Sequence, residues 1–316
     1  MKSIRFSRRR LVTISLAGVM TGLLAPLQRN ARGSDFPGYT ESKGVLVDLT
    51  RCVGCRTCEA ACNLENQLPA PERPFNDMSI FNEQSDHLRR PDDKAFTVVN
   101  RYDSGSSVSP VYRKIQCNHC QEPACLTSCF VNAYTITAEG AVLYNHQVCV
   151  GCRTCMIACP FSVPAFCYSS AFSPQIMKCN FCYPTRLVQG RPPACVEACP
   201  RDALTFGERA ELLRIARQRI KRNKGRYINY IYGENEAGGT SWLYIAGVPF
   251  NEVGFDEDIP KQPIINYVKD FLAIVPMVLT IWPGLFAGIH LLVKRRATAI
   301  DNDPKLAESD HDKTAA

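Results

Sequence analysis

Sixteen of the seventeen cysteines in this sequence fall into four groups of four. They are Cys52, Cys55, Cys58, Cys62; Cys117, Cys120, Cys125, Cys129; Cys149, Cys152, Cys155, Cys159; and Cys179, Cys182, Cys195, Cys199. The first and third follow C-x2-C-x2-C-x3-C, in which three close thiolates hold three irons of a cubane and the fourth ligates a neighbouring cluster. The second and fourth keep the leading C-x2-C and trailing C-x3-C but stretch the middle gap to four and twelve residues. Zinc also takes C-x2-C pairs, yet a zinc ribbon uses two pairs and needs no third cysteine in the same loop. Disulfide scaffolds are short and have no reason to sort their cysteines into equal groups. The chemistry indicated is four [4Fe-4S] clusters. Cys167, in AFCYSS, is left over and is expected to be a small buried hydrophobe.

The elements that carry these cysteines are themselves repeated. VLVDLTRCVGC at 45–55 matches VLYNHQVCVGC at 142–152, a short strand running into a ligand loop. KCNFC and PPACVEACPRDALTF around the fourth group echo QCNHC and EPACLTSCFVNAYTI around the second. Strand pairs such as ITAEGAVLY (136–144), turning at Glu139-Gly140, are expected to flank short helices after the ligand loops. Gly54 and Gly151 leave room for the backbone to wrap a cluster closely. The expected fold is therefore α+β: two duplicated dicluster ferredoxin-like modules plus one C-terminal transmembrane helix. Residues 63–116 form a polar insertion, a surface loop or part of a partner interface. ERAELLRIARQRIKRN (208–223) has apolar residues at helical spacing and a basic outer face, which predicts a solvated helix.

The 316 residues are enough to bury a core without metals, so metals would be present for chemistry. The net charge of +7 is accounted for by Lys2, Arg5, Arg8, Arg9, Arg10, Arg29 and Arg32, with no acid before Asp35. The remainder is neutral, and no basic patch supports nucleic-acid binding. Arg8-Arg9 ahead of LVTISLAGVMTGLLA, a run too short to span a bilayer, reads as a twin-arginine export signal. FLAIVPMVLTIWPGLFAGIHLLV (271–293) is uncharged and long enough to cross a membrane, with Pro276 and Pro283 tolerable against neighbouring helices. Lys294-Arg295-Arg296 follow directly, which places the C-terminus in the cytoplasm and the cysteines outside. His290, one turn from the cytoplasmic end, is expected to be an interfacial histidine rather than a haem or quinone ligand. The expected boundaries are a signal region at 1–33, a cluster domain at 44–206, a helix and connecting segment at 207–266, an anchor at 267–296 and a cytoplasmic tail at 297–316.

At these residues the chain resembles the four-cluster ferredoxin-like electron-transfer subunits of membrane oxidoreductases, over about 44–206. The resemblance implies that the first cysteine run shares clusters with the fourth, and the second with the third. The implied ligand sets are Cys52, Cys55, Cys58 with Cys199; Cys179, Cys182, Cys195 with Cys62; Cys117, Cys120, Cys125 with Cys159; and Cys149, Cys152, Cys155 with Cys129. It implies that these form a wire in that order, from a catalytic subunit to a polytopic quinone-reactive membrane subunit. IYGENEAGGTSWLYIAGVPF (231–250) resembles the matching stretch of iron-sulfur subunits of periplasmic [NiFe] uptake hydrogenases, which implies hydrogenase large and small subunits as the catalytic partner. A relay for a molybdopterin enzyme, such as formate dehydrogenase or a polysulfide or sulfoxide reductase, is the rival within the class. A zinc- or disulfide-stabilised structural anchor is the rival outside it. No P-loop or dinucleotide fingerprint is present and every grouped cysteine is assigned, so the chain is expected to be a non-catalytic relay in the bacterial inner membrane, its cluster domain periplasmic.

Overall fold

The computed structural model describes residues 42–82, 88–105, 109–169 and 175–302. The twin-arginine segment lies outside the described residues, as does most of the C-terminal tail. The chain divides into two compact units, through Ile264 and from Ile265 onward.

The first unit is built on a three-stranded sheet. Strand β1 (Lys43–Asp48) is central, antiparallel to β8 (Leu204–Glu208) and parallel to β9 (Trp242–Ile245). Both faces of β1 are covered, which is why KGVLVD reads as an almost continuous apolar run. The period of two sends Val45, Val47, Trp242 and Tyr244 into the main core, and Leu46, Leu243 and Ile245 to the opposite face. There they meet Leu212, Leu213, Ala216 and Ile220 of helix α5 (Arg209–Arg222), the helix read from the sequence at 208–223.

The other strands form three antiparallel hairpins: β2 (Thr97–Tyr102) with β3 (Val111–Gln116), β4 (Tyr134–Ile136) with β5 (Val142–Tyr144), and β6 (Ala165–Cys167) with β7 (Gln175–Met177). The β4–β5 pair turns at Gly140, φ +85°, where the sequence places it. The insertion is more than a loop. Its second half is the β2–β3 hairpin, whose first strand is buried on both faces, with Thr97, Val98, Val99, Asn100 and Tyr102 all inside.

Four short helices carry cysteines: α1 (Thr57–Glu65), α2 (Ala124–Thr127), α3 (Thr154–Ala158) and α4 (Ala194–Glu197). Helix α1 packs on α4, and α2 packs on α3. The second unit is dominated by helix α6 (Ile264–Asn302), continuous through Pro276 and Pro283. Among the described residues it is the one helix long and apolar enough to cross a membrane, over Met277–Arg295 at mean hydropathy 1.6.

Candidate cluster sites

Local backbone conformation sets the cysteines. In CVGCR, Gly54 takes φ +70° and Arg56 φ +57°, so the loop after β1 coils tightly before α1 begins. Gly151 and Arg153 repeat this at φ +70° and +60° ahead of α3. At Gly54 the requirement is also steric: a Cβ there would stand 2.3 Å from the Tyr112 ring. In the other two groups a proline, Pro123 or Pro193, precedes the short helix that carries Cys125 or Cys195. Left-handed residues, Asn132 (+52°) and Asp202 (+49°), then turn the chain after Cys129 and Cys199.

The packing of α1 on α4 gathers thiols from the two ends of the domain. Cys52, Cys55, Cys58 and Cys199 line one cavity, together with Gly54 and Lys114. Burial pushes the Cys52 thiol up to about 11, with Cys199 and Cys55 adding to the rise. Burial also raises Cys62, with Cys179 adding to the rise and Lys114 opposing it, and lifts Cys179 to about 12. Around α2 and α3, burial raises Cys120 beside Cys159, Cys117 and Cys125. Cys129, Cys149 and Cys155 pack into one apolar cluster with Tyr134 and Val142. A neutral thiol is a poor metal ligand, but metal coordination deprotonates it outright.

Backbone and hydroxyl donors point at the sulfurs. Gly151 N–H reaches Cys149 Sγ at 3.4 Å, Phe181 N–H reaches Cys179 Sγ at 3.4 Å, and Ala133 N–H reaches Cys129 Sγ at 3.3 Å. Thr57 and Thr154 occupy the same place in their runs, and each hydroxyl donates to a sulfur, Cys55 or Cys152, at 3.3 Å. Among the described residues no three His, Cys, Asp or Glu side chains converge closely enough for a single metal ion. N–H donors toward sulfur are what an iron-sulfur cluster accepts. All seventeen cysteines are free. Cys167 is half-buried on β6 rather than buried, its sulfur 2.9 Å from Ser169 Oγ.

Several residues around the sites escape sequence reasoning. His119 lies inside C-N-H-C, is fully buried and stacks on Phe181 of C-N-F-C at 4.8 Å between ring centroids. Burial, with Lys178 and Lys114 nearby, holds it well below the usual histidine range. Its neutral Nδ1 accepts the Val142 N–H at 2.9 Å, which ties the second group to β5. Arg56 and Glu59 are buried, and Glu59 accepts from Arg56, Arg89 and the Val99 N–H, fastening α1 to the insertion. The one signal for Lys114 in the sequence is its spacing of two from Gln116, which puts both on one face of β3.

Paired four-thiol sites on a small mixed α and β scaffold define a ferredoxin-like iron-sulfur protein. Residues 108–209 match the 4Fe-4S dicluster domain family. The hydrogenase-2 operon protein HybA of Escherichia coli O157:H7 is 32% identical over 81% of this chain and 84% of its own length. The iron-sulfur subunit of nitrate-inducible formate dehydrogenase from Escherichia coli is 27% identical over 90% of this chain and 97% of its own. A Nitratidesulfovibrio vulgaris protein is 49% identical over 92% of this chain and 77% of its own. The chain belongs to this family of [4Fe-4S] electron-transfer subunits, and its cofactors are four [4Fe-4S] clusters.

Proposed function

We propose that the chain is a non-catalytic relay, passing single electrons between a catalytic subunit and a quinone-reactive membrane subunit. The observation that carries this is the cavity at which Cys52, Cys55 and Cys58 meet Cys199, residues far apart in sequence and together in space. It supports the ligand sets implied by resemblance, and with them two duplicated modules: the first and fourth runs in one, the second and third in the other. Strand register supports the duplication. Val47 pairs with Leu204 as Tyr144 pairs with Tyr134, and each pair holds the same position in its repeat. When bound, each cluster accepts or gives one electron at a time. The thiolates fix the clusters in a row, while burial and N–H donors set their potentials.

Apolar side chains are exposed at both ends of the row, Val53 and Leu64 at the first run included, but the exposed cysteine is in the third run. Beside the third run, Phe130, Val150, Ile157 and Tyr168 are 71%, 58%, 86% and 69% exposed, and Cys152 is exposed with them. An apolar rim of this kind around an accessible cluster suits a permanent protein interface, and we assign it to the polytopic membrane subunit. The Cys52 end faces the catalytic subunit, taken as the large and small subunits of a [NiFe] hydrogenase from the likeness to HybA. Residues 267–296 would be the membrane anchor, 1–33 the export signal and 207–266 the connection, with the cluster domain, 44–206, on the periplasmic face of a bacterial inner membrane.

Purification of the native complex tests the partner. Co-purifying hydrogenase subunits and hydrogen-dependent quinone reduction are expected. Formate-dependent reduction with a molybdopterin subunit would move the chain to the partner named by its second relative. Cys152→Ser tests the wire: quinone reduction should fall steeply while the catalytic subunit still reduces an artificial dye. The other three clusters should remain visible by electron paramagnetic resonance. Unchanged quinone reduction in a variant shown to lack this cluster would end the distal assignment.

A further inference from the structure

Lys114 is a buried ammonium in an unusual place. It is 3% exposed and lines the cavity shared by Cys52, Cys58 and Cys199. Its Nζ donates to Gln116 Oε1 at 3.0 Å and lies 4.5 Å from the centroid of the Trp242 ring. Gln116 is held in turn, its Nε2 donating to Tyr244 Oη at 2.6 Å, so its carbonyl oxygen stays aimed at the lysine. An amide oxygen and an indole face supply only partial negative charge. Among the described residues no carboxylate lies within ion-pair distance of the ammonium; the buried carboxylate of Glu59 is taken by Arg56 and Arg89.

A lone buried ammonium costs several kcal/mol unless full negative charge compensates it. The sulfurs whose charge would act on Lys114 once they ligate metal are those of Cys195, Cys58, Cys179 and Cys62. Those four cysteines belong to both members of the pair built from the first and fourth runs. The repeat differs at this position: three residues before Cys179, where Lys114 stands before Cys117, the chain has buried Ile176. The other buried lysine, Lys178, donates to the Val142 and Cys179 carbonyl oxygens beside the second run, and it is the same in every variant below.

We infer that Lys114 is the internal counter-charge shared by the two clusters of the first and fourth runs, and that it raises their reduction potentials above what their ligands alone would set. This rests on the ligand sets proposed above. A bound cluster carries net negative charge that grows on reduction, so a fixed cation stabilises the reduced state more than the oxidised one. With both ligand sets filled, one ammonium would act on both clusters and would bring their potentials up together.

Redox titration of the purified complex, followed by electron paramagnetic resonance, tests this on wild type, Lys114→Met and Lys114→Arg. Wild type should show four clusters; fewer would overturn the ligand assignment rather than this inference. In Lys114→Met two of the four should become harder to reduce by at least tenfold, about 59 mV for one electron. The other two should stay in place, and Lys114→Arg should restore the first two. Four assembled clusters with potentials unchanged, or all four shifted alike, would overturn the inference. If Lys114→Met loses iron, Lys114→Arg decides. Two clusters retained near their wild-type potentials uphold a role for charge, whereas loss in both variants assigns Lys114 to packing and overturns it.

Discussion

The segment CVGCRTC occurs twice with one backbone and two fates. In both copies the glycine and the arginine adopt left-handed conformations, and the threonine hydroxyl bonds the preceding cysteine. Past that point the copies part. Glu59 follows the first and Met156 the second; Arg56 is 2% exposed beneath the insertion, whereas Arg153 is exposed and lies over Phe166 and Tyr168. Helix α1 continues to Glu65, but α3 stops at Ala158, because Pro160 follows the last cysteine of the third run and Asn63 follows that of the first. The motif dictates how the chain wraps its cofactor, and the residues outside it dictate whether that cofactor is sealed in or left at the surface.

Breaking the sealed copy should have the largest effect. Glu59→Ala leaves Arg56 and Arg89 without their shared carboxylate, and loss of one partner from a buried ion pair costs about 3–5 kcal/mol. Resistance to denaturant should fall by that order, with iron lost from the first run earlier than from the others. Arg153→Ala, in the open copy, should cost no more than about 1 kcal/mol, since its stacking is solvent-exposed. An equal loss in both would mean that the insertion does not brace the first run.

Glycine replacement sharpens the comparison at smaller scale. Gly151→Ala measures the left-handed penalty, about 1–2 kcal/mol. Gly54→Ala carries the same penalty and adds the clash with Tyr112, so it should be the more destabilising in the same unfolding assay. Smallest are Thr57→Val and Thr154→Val, each removing one hydroxyl donor to sulfur. Each should lower the potential of its own cluster by roughly 40 mV, the equivalent of about 1 kcal/mol, in a redox titration. A larger shift at the exposed Cys152 than at Cys55 would show that burial, and not the hydroxyl, dominates the first site.

What could be read from the sequence was local or periodic. The β4–β5 turn at Gly140, the apolar stripe of α5 and the long terminal helix all rest on patterns within a few residues. What could not be read was long-range or inverted in polarity. Strand β9 joins β1 across nearly two hundred residues, and no local signal marks that pairing. Lys114 and Gln116 look like the wet face of a surface strand, yet they point inward, because the interior they meet is lined with thiols rather than hydrocarbon. Spacing alone grouped the cysteines but left open which runs are neighbours; the packing of α1 on α4 and of α2 on α3 and the cavity that joins Cys52 to Cys199 bear on that in the structure.

That packing is nested: the helices of the second and third runs close on each other inside the stretch bounded by the first and fourth. Closing a shorter loop costs less entropy, so the inner pair can come together while the chain is still being made. The outer pair cannot, because Cys199 must first leave the ribosome and β8 and β9 must then flank β1. The cavity at Cys52 takes its lining from both ends of the domain, so only a chain synthesised through Cys199 can complete it.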